Sequence, residues 1–442
     1  MPPWHLSKEV NLNMKNVNVL VYPADTEIAL EINNALKYNK AVHLSGASPT
    51  SQHGRLVYQP FISYVAGPAE NTDFLTTFNQ LLRQHQIDFI FPGSDDLALY
   101  FCEHASELAA EVIGSDLTTT RIARSKRATY DFLAAEPFLP RYYADATTVK
   151  QFPVFVKPVI GAGSFGAEVI PDAAALTAKL ADGQDYLISE YLPGKEYTID
   201  CFTDRHGVLR FSGCRERCRT RNGITVSTHS QPLPAAVAQI AQRLNQLLHF
   251  RGVWFFQVKQ NQAGDYRLME IATRVAGTMC LYRNQGINLP LLSLHDRLGE
   301  PITIQQNQFA LTVDRALSNK FQLQLDYQTV LVDFDDTITR GQQVNPLMMY
   351  LLYQFQNEGK AIILVTRHAN DITQTLAQLH IDPNLFQQIH HLTANETKGP
   401  LVRQYPDPIF IDDSFGERQN VLAVAGCPVF DTSALEALMH WT

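Results

Sequence analysis

The chain carries no surplus of positive charge and no long run of it. Lys and Arg number 36 against 44 Asp and Glu, a formal net charge of -8, and the pI is near 6.0. That balance excludes the electrostatic footprint of a nucleic-acid binder. The six cysteines, Cys102, Cys201, Cys214, Cys218, Cys280 and Cys427, form no Cys-x-x-Cys pair and have no histidines at zinc spacing. They fit reduced, mostly buried thiols rather than a disulfide framework or a zinc site. No stretch approaches the roughly 18 uncharged apolar residues of a membrane span. The opening Met-Pro-Pro-Trp-His lacks a basic-then-apolar leader, so a cytoplasmic protein with no membrane partner is expected. Internal repeats and low-complexity tracts are missing too. What is present is 45% hydrophobic and 18% charged residues over 442 positions, apolar material for about three globular domains.

Short apolar runs alternate with helical patterns at the start. Val17–Tyr22 reads as a strand, Ile28, Leu30, Ile32 and Leu36 as a helix face, Ala41–Leu44 as a strand, Leu75–Leu82 as a helix and Ile87–Phe91 as a buried strand. Such alternation predicts a parallel sheet with helices on its faces, a Rossmann-like α/β unit over 14–117. Asp95 and Asp96 follow a strand end, where α/β sheets place ligands, but a helix cap and first turn is the weightier reading. From about Thr118 the pattern is α+β. Strands are expected at Val154–Lys157, up to Ile170, at Tyr186–Ser189, Glu196–Phe202, Val253–Lys259 and Tyr266–Ile271, with a helix over Ala235–Leu248. A polar stretch at Gln322–Gln328 ends this second domain, 118–323. Thr329–Phe334 opens a third, 324–442.

Lys157 closes a strand just before glycines 161, 163 and 166. Glycines let backbone approach phosphate oxygens, and a lysine adds positive charge, although a plain hairpin turn has the same composition. The spacing fits neither a Walker A loop nor a dinucleotide fingerprint. The companions, in order, are Val112-Ile-Gly-Ser115, Lys126-Arg-Ala-Thr-Tyr130, Phe152-Pro-Val-Phe-Val-Lys157-Pro158, Ile188-Ser-Glu-Tyr-Leu192, Gly194-Lys-Glu-Tyr-Thr198, Phe256-Gln257 and Leu268-Met-Glu270-Ile-Ala-Thr-Arg274. This ordered set resembles the ATP-grasp superfamily, and within it the carbamoyl-phosphate-synthase-like branch of carboxylate–amine ligases, from about Asn16 to Asp314.

The resemblance implies ATP and Mg²⁺, or Mn²⁺ in its place, as cofactors. It puts Lys126 and Lys157 on the ATP phosphates under a flap holding Gly163, Ser164 and Gly166. It puts Glu190 and the Leu192 backbone at adenine and Glu196 on the ribose. Gln257 and Glu270 would hold the metal, and Arg274 would steady the transferring phosphoryl group. Hard oxygen ligands suit Mg²⁺, and phosphoryl transfer rests on positioning and charge neutralisation. One position departs: the family's last metal strand shows Glu-x-Asn, and here the third place is Ala272. Residues at i and i+2 share a strand face, so an expected metal ligand is missing. Between these elements lies Arg215-Glu-Arg-Cys-Arg-Thr-Arg221. Arg219 and Arg221 there suit a carboxylate substrate, and an exposed hairpin with solvated charges is an equal reading. Cys214, Cys218 and His229 are expected to be inert.

Further on, Leu331-Val-Asp333-Phe-Asp335-Asp336-Thr337 places acids after a buried strand. Ile362–Thr366 ends in a hydroxyl, Lys398 sits in a polar turn, and Pro408-Ile-Phe-Ile-Asp412-Asp413 ends in paired acids. Strand ends of a parallel sheet converge on one crevice. The series resembles the haloacid dehalogenase (HAD) superfamily from about Asp326 onward. By that resemblance the third domain is a doubly wound parallel sheet and Asp333 a nucleophile that becomes an aspartyl-phosphate. Asp335 would be the general acid/base and a metal ligand, Thr366 and Lys398 phosphate binders, and Asp412 a Mg²⁺ ligand with Asp333, with Asp413 ranked second. The short stretch from Asp335 to Thr366 implies no large cap. The expected partners are a small-molecule carboxylate and amine, a phosphorylated compound for the third domain, and no nucleic acid; a homo-oligomer is left open. The expected activity is ATP-dependent ligation through an acyl-phosphate, with a fused phosphatase. The alternatives are a nucleotide-binding regulator without turnover, or the phosphatase as the principal activity.

Overall fold

The structure is a computed structural model that describes residues 14–49, 53–161, 163, 165–316, 319–321, 323–393 and 395–440. It divides into two compact units, 1–317 and 318–442. The segments expected as domains over 14–117 and 118–323 lie together in the first, apart from the stretch past 317.

The first unit opens with a five-stranded, all-parallel sheet. Val17–Tyr22 lies between Val42–Ser48 and Phe89–Pro92, with Phe61–Tyr64 and Glu111–Val112 at the edges. Alternate residues of VNVLVY fill cores on both sheet faces, which is why the run is apolar at every position but Asn18. The helix Glu27–Leu36 starts where Thr26 accepts from the Ala29 amide. A mixed α/β architecture follows. A six-stranded antiparallel sheet runs in the order Tyr266–Ala272, Gly252–Gln260, Glu196–Thr203, Leu209–Arg221, Ile224–Gln231, Thr312–Asp314. A four-stranded antiparallel sheet holds Val154–Pro158 between Tyr186–Glu190 and Glu168–Ile170. The helix Ala235–Leu247 lays Val237, Ile240, Ala241 and Leu244 onto the larger sheet, the apolar stripe its spacing predicts.

The long hairpin Leu209–Arg221/Ile224–Gln231 has no apolar alternation in its distal half, where Arg215, Arg217 and Thr225 line a polar cavity and Arg219 and Arg221 are exposed. Asn222 and Gly223 turn it with φ of 48° and 71°, the left-handed pair that a two-residue hairpin requires. Lower on the same strand, Gly213 lies under Tyr282 and Phe211. A Cβ there would stand 2.3 Å from a Tyr282 ring atom and 2.5 Å from one of Phe211. Gly213→Ala is therefore expected to destabilise the first unit by about 1–3 kcal/mol through overpacking, read as a lowered melting temperature; an unchanged value would show that the rings swing aside freely.

The second unit is a five-stranded parallel sheet in the order Gln388–His391, Ala361–Thr366, Thr329–Val332, Pro408–Ile411, Val429–Phe430. Its central strand ends at Val332, short of the expected Phe334. Phe334–Ile338 is instead a tight turn with Asp336 at φ 54°, which frees the acids from strand geometry. Among the described residues no helix is long and apolar enough to cross a membrane.

Candidate functional site

The first unit contains a cavity of about 440 Å³, walled by the parallel sheet's strand ends, the glycine loop and the polar face of the antiparallel sheet. One row crosses that face in register: Glu270 opposite Gln257, Gln257 opposite Thr198, Thr198 opposite Arg215. Glu270 makes no hydrogen bond to a described residue, whereas Gln257 Oε1 accepts from Arg217 at 2.7 Å. Thr198 is 1% exposed, and its hydroxyl has no partner among the described residues, a deficit of about 1–3 kcal/mol unless a ligand or water fills it.

The two expected phosphate lysines lie near Glu270 but differ in setting. Lys126 lines the cavity and donates to the Gly161 carbonyl at 3.0 Å, and burial lowers its pKa. Lys157 stands behind the wall, 4% exposed, donating to the Met269 carbonyl at 2.7 Å and the Tyr130 hydroxyl at 3.1 Å. Burial pulls its pKa down to about 7, against the opposing pull of Glu270. Gly163 and Gly166 both have positive φ, and a Cβ on Gly163 would meet the Asn222 carbonyl at 3.1 Å, so the loop tip closes on the hairpin turn. Ser164 lies outside the described residues.

Glu190 accepts from the Arg141 amide at 3.0 Å and is committed to its neighbour strand, while the Leu192 amide has no hydrogen bond among the described residues. Glu196 is taken by Arg217 and lies 3.9 Å from Lys259. Arg217 thus joins the expected ribose residue to the expected metal residue and also donates to Thr225 Oγ1 at 2.8 Å. Sequence reasoning missed it. It singled out Arg219 and Arg221 instead, but a bulge between Arg217 and Arg219 re-aims the strand. Arg219 pairs with exposed Asp314 and Arg221 is exposed. Arg215 is fully buried, gripping Asp200 at 2.7 and 3.0 Å.

Arg274 enters the cavity and pairs bidentately with Asp95 at 2.8 and 2.6 Å. Burial would raise the Asp95 carboxyl, but Arg274 outweighs it and holds the group below its ordinary value. The helix cap is Ser94, and Asp95 and Asp96 stand in the first turn as the weightier reading expected; that reading did not foresee Arg274, 179 residues away. Ala272 is buried and offers no ligand atom. The donors present, one carboxylate and one amide oxygen, fit a single hard cation that shares phosphate oxygens.

The second unit gathers Asp333, Asp412 and Asp413, with carboxylate oxygens all within 4.8 Å of one another, a set that fits a hard cation. Lys398, expected in a polar turn, is 3% exposed and bridges Asp333 at 2.5 Å and Asp412 at 2.7 Å. Burial pushes Asp333 up to about 7, against the pull of Lys398. Thr366 is buried and accepts from the His368 amide. Asp335, expected among the metal ligands, stands apart from the cluster: the turn directs it to His368 Nδ1 at 2.9 Å, and Asp413 takes the third place. His368 and Thr337, which bonds the Asp413 amide at 3.0 Å, were not anticipated. A lone histidine after a strand gives no sequence signal.

Residues 182–318 match a family described as ATP-grasp in the biosynthetic pathway with Ter operon. No protein with a curated description matches the chain. Among solved structures, biotin carboxylase of Campylobacter jejuni, in complex with β,γ-ATP, is similar over 67% of this chain and 74% of its own, at 15% identity and a TM-score of 0.57. The biotin carboxylase domain dimer of Hydrogenobacter thermophilus 2-oxoglutarate carboxylase, with MgADP, ADP and bicarbonate, is similar over 66% of this chain and 72% of its own, at 15% identity and a TM-score of 0.54. N5-carboxyaminoimidazole synthetase of Staphylococcus aureus, complexed with ADP, covers 66% of this chain and 79% of its own, at 14% identity and a TM-score of 0.53. The chain thus shares its fold with these structures, and residues 182–318 within it match an ATP-grasp family.

Proposed function

We propose that the first unit is an ADP-forming ligase that joins a small carboxylate to an amine. The carboxylate attacks the γ-phosphorus of ATP and ADP leaves. The amine then attacks the acyl carbon, expelling phosphate and releasing a proton. The row Glu270–Gln257–Thr198–Arg215 facing Lys126 and Arg274 carries this reading. A carboxylate without a partner among the described residues sits beside two lysines, where a metal bound to phosphate would be held. The free Leu192 amide suits adenine, and the structures similar to this one that hold ATP or ADP support the choice of nucleotide. Magnesium would supply charge neutralisation on the phosphates, with Glu270 and Gln257 as its ligands. The carbamoyl-phosphate-synthase-like branch and domain limits at 118 and 324 belong to the same reading. Release of ADP on adding candidate acids and amines tests it; ATP binding with no ADP release from any pair would favour the regulator without turnover.

Ala272→Asn is expected to lower the Mg²⁺ concentration needed for half-maximal ADP formation, because the amide oxygen joins the face that Glu270 occupies. An unshifted Mg²⁺ curve would show that another group already fills that role.

For the second unit we infer a HAD-type phosphatase. Asp333 would attack phosphorus and Asp335, oriented by His368, would carry the proton. Asp412 and Asp413 would hold magnesium with Asp333, while Lys398 and Thr366 would bind phosphate oxygens. Its substrate would be a phosphate monoester.

A further inference from the structure

The cavity of the first unit extends past the row of polar side chains to a region that the ligase reading leaves without a task. Two residues of opposite charge come close to Gly277 there. A Cβ built on Gly277 would stand 3.2 Å from Cβ of Glu27 and 3.5 Å from Nη1 of Arg315. Both residues line the cavity, yet no ion pair joins them. The Glu27 carboxylate has no hydrogen bond or ion pair among the described residues. Arg315 pairs with no carboxylate among them, and its Nη1 reaches only the Thr225 carbonyl at 3.5 Å. The nearby acid Glu31 is already held by Arg283 at 2.9 and 3.2 Å. Contacts lead from Arg315 back to the polar row. The Thr225 hydroxyl accepts from Arg217, and Arg217 donates to Gln257, the cross-strand neighbour of Thr198. Thr198 is the one buried side chain lining this cavity, among the described residues, whose hydroxyl lacks a partner.

Resting on the ligase reading, we propose that this end of the cavity is a subsite for an α-amino acid that serves as the acyl donor. Arg315 takes the carboxylate, on the side that leads to Thr198 and Gln257. Glu27 takes the ammonium on the more exposed side. A cation and an anion that line one cavity without pairing match the two charges of one zwitterion, whereas a simple acid would leave Glu27 facing its substrate with nothing to bind. An ammonium bonded to a carboxylate keeps its proton and is not a nucleophile. The bound amino acid therefore presents its carboxylate for activation, and the attacking amine comes from a second molecule. The rival account makes Glu27 only a favourable charge in the first turn of its helix.

Calorimetry on the full chain, with Mg²⁺ and a non-hydrolysable ATP analogue, tests the subsite with the twenty standard amino acids. Each amino acid that binds is compared with the acid lacking its amino group and the amine lacking its carboxylate. The expected result is binding of at least one amino acid, weakened tenfold or more in both stripped compounds and in Arg315→Met and Glu27→Gln. Equal binding of the deaminated acid, or unchanged affinity in Glu27→Gln, overturns the proposal. Binding of the ATP analogue with no amino acid also overturns it and leaves the ligase reading standing. Failure of the ATP analogue to bind the native chain sinks the ligase reading instead, and the same probe series without nucleotide then decides the subsite. The stripped compounds are tried on the native chain, so misfolding of a variant cannot mask the answer.

Discussion

Lys157→Ala is expected to weaken binding of an ATP analogue to the first unit at least tenfold. Removing one partner of a desolvated charge contact costs on the order of 2–5 kcal/mol, and tenfold corresponds to about 1.4 kcal/mol. The lysine is buried beside Lys126 and Glu270 and has no carboxylate within ion-pair distance among the described residues; its ammonium rests on a carbonyl and a phenol. Such a group gains charge stabilisation when phosphates arrive. Its pKa near 7 gives the effect a pH signature. Burial favours the neutral amine, so above about pH 7 the free protein holds Lys157 largely deprotonated. Polyanion binding favours the ammonium and draws in a proton. Affinity should therefore fall as pH rises above 7, and calorimetry in buffers of different ionisation enthalpy should register proton uptake that the alanine variant lacks. The stability sign is opposite. The unfolded lysine keeps its proton up to its ordinary pKa of 10.5, so the unfolded state binds more protons between about 7 and 10.5 and the burial cost fades as pH rises through that window. A variant with lower melting temperature but unchanged affinity and proton uptake would make Lys157 a strut between Tyr130 and Met269, not a phosphate group.

Much of this arrangement was legible in the order of short motifs. Predominantly apolar strands such as Val17–Tyr22 announce themselves because both faces are buried. Glu270 and Gln257 could be singled out together because the two motifs sit at fixed places on neighbouring strands, and the structure puts the residues opposite each other. The arginine hairpin was hard to read for the converse reason. A strand that turns charge into a cavity has no apolar period, and one bulge decides whether Arg217 or Arg219 faces inward. Asp95 was underweighted because its partner, Arg274, is remote in sequence. Asp335 and His368 met only because the turn at Asp336 takes a left-handed conformation, which spacing along a chain does not reveal. Glu27 and Arg315 are likewise ordinary surface charges until both are seen to line one cavity.

Asp333→Asn is expected to reduce phosphate release from a chromogenic monoester by on the order of 10⁴ or more, the scale of losing a covalent nucleophile, while leaving ATP-analogue affinity unchanged. The carboxylate must attack phosphorus to form an aspartyl-phosphate, and an amide does not. The change is nearly isosteric, and the Asn oxygen still accepts from Lys398, so the effect falls on turnover more than on folding. Stability even has reason to rise, since a buried carboxylate whose pKa burial pushes up to about 7 is replaced by a neutral group. Metal affinity should decline, because one of three converging carboxylates is lost. The competing account treats Asp333, Asp412 and Lys398 as a buried ion cluster with no chemistry. Replacing both partners of such a cluster with apolar groups is often neutral, and the cluster account predicts no hydrolysis of any monoester by the native chain. It also predicts no capture of a phosphate mimic such as fluoroberyllate beside Asp333. Capture by the native chain and none by Asp333→Asn would place the aspartyl-phosphate on this residue. Its absence in both, with no monoester turned over, would remove the phosphatase from the second unit.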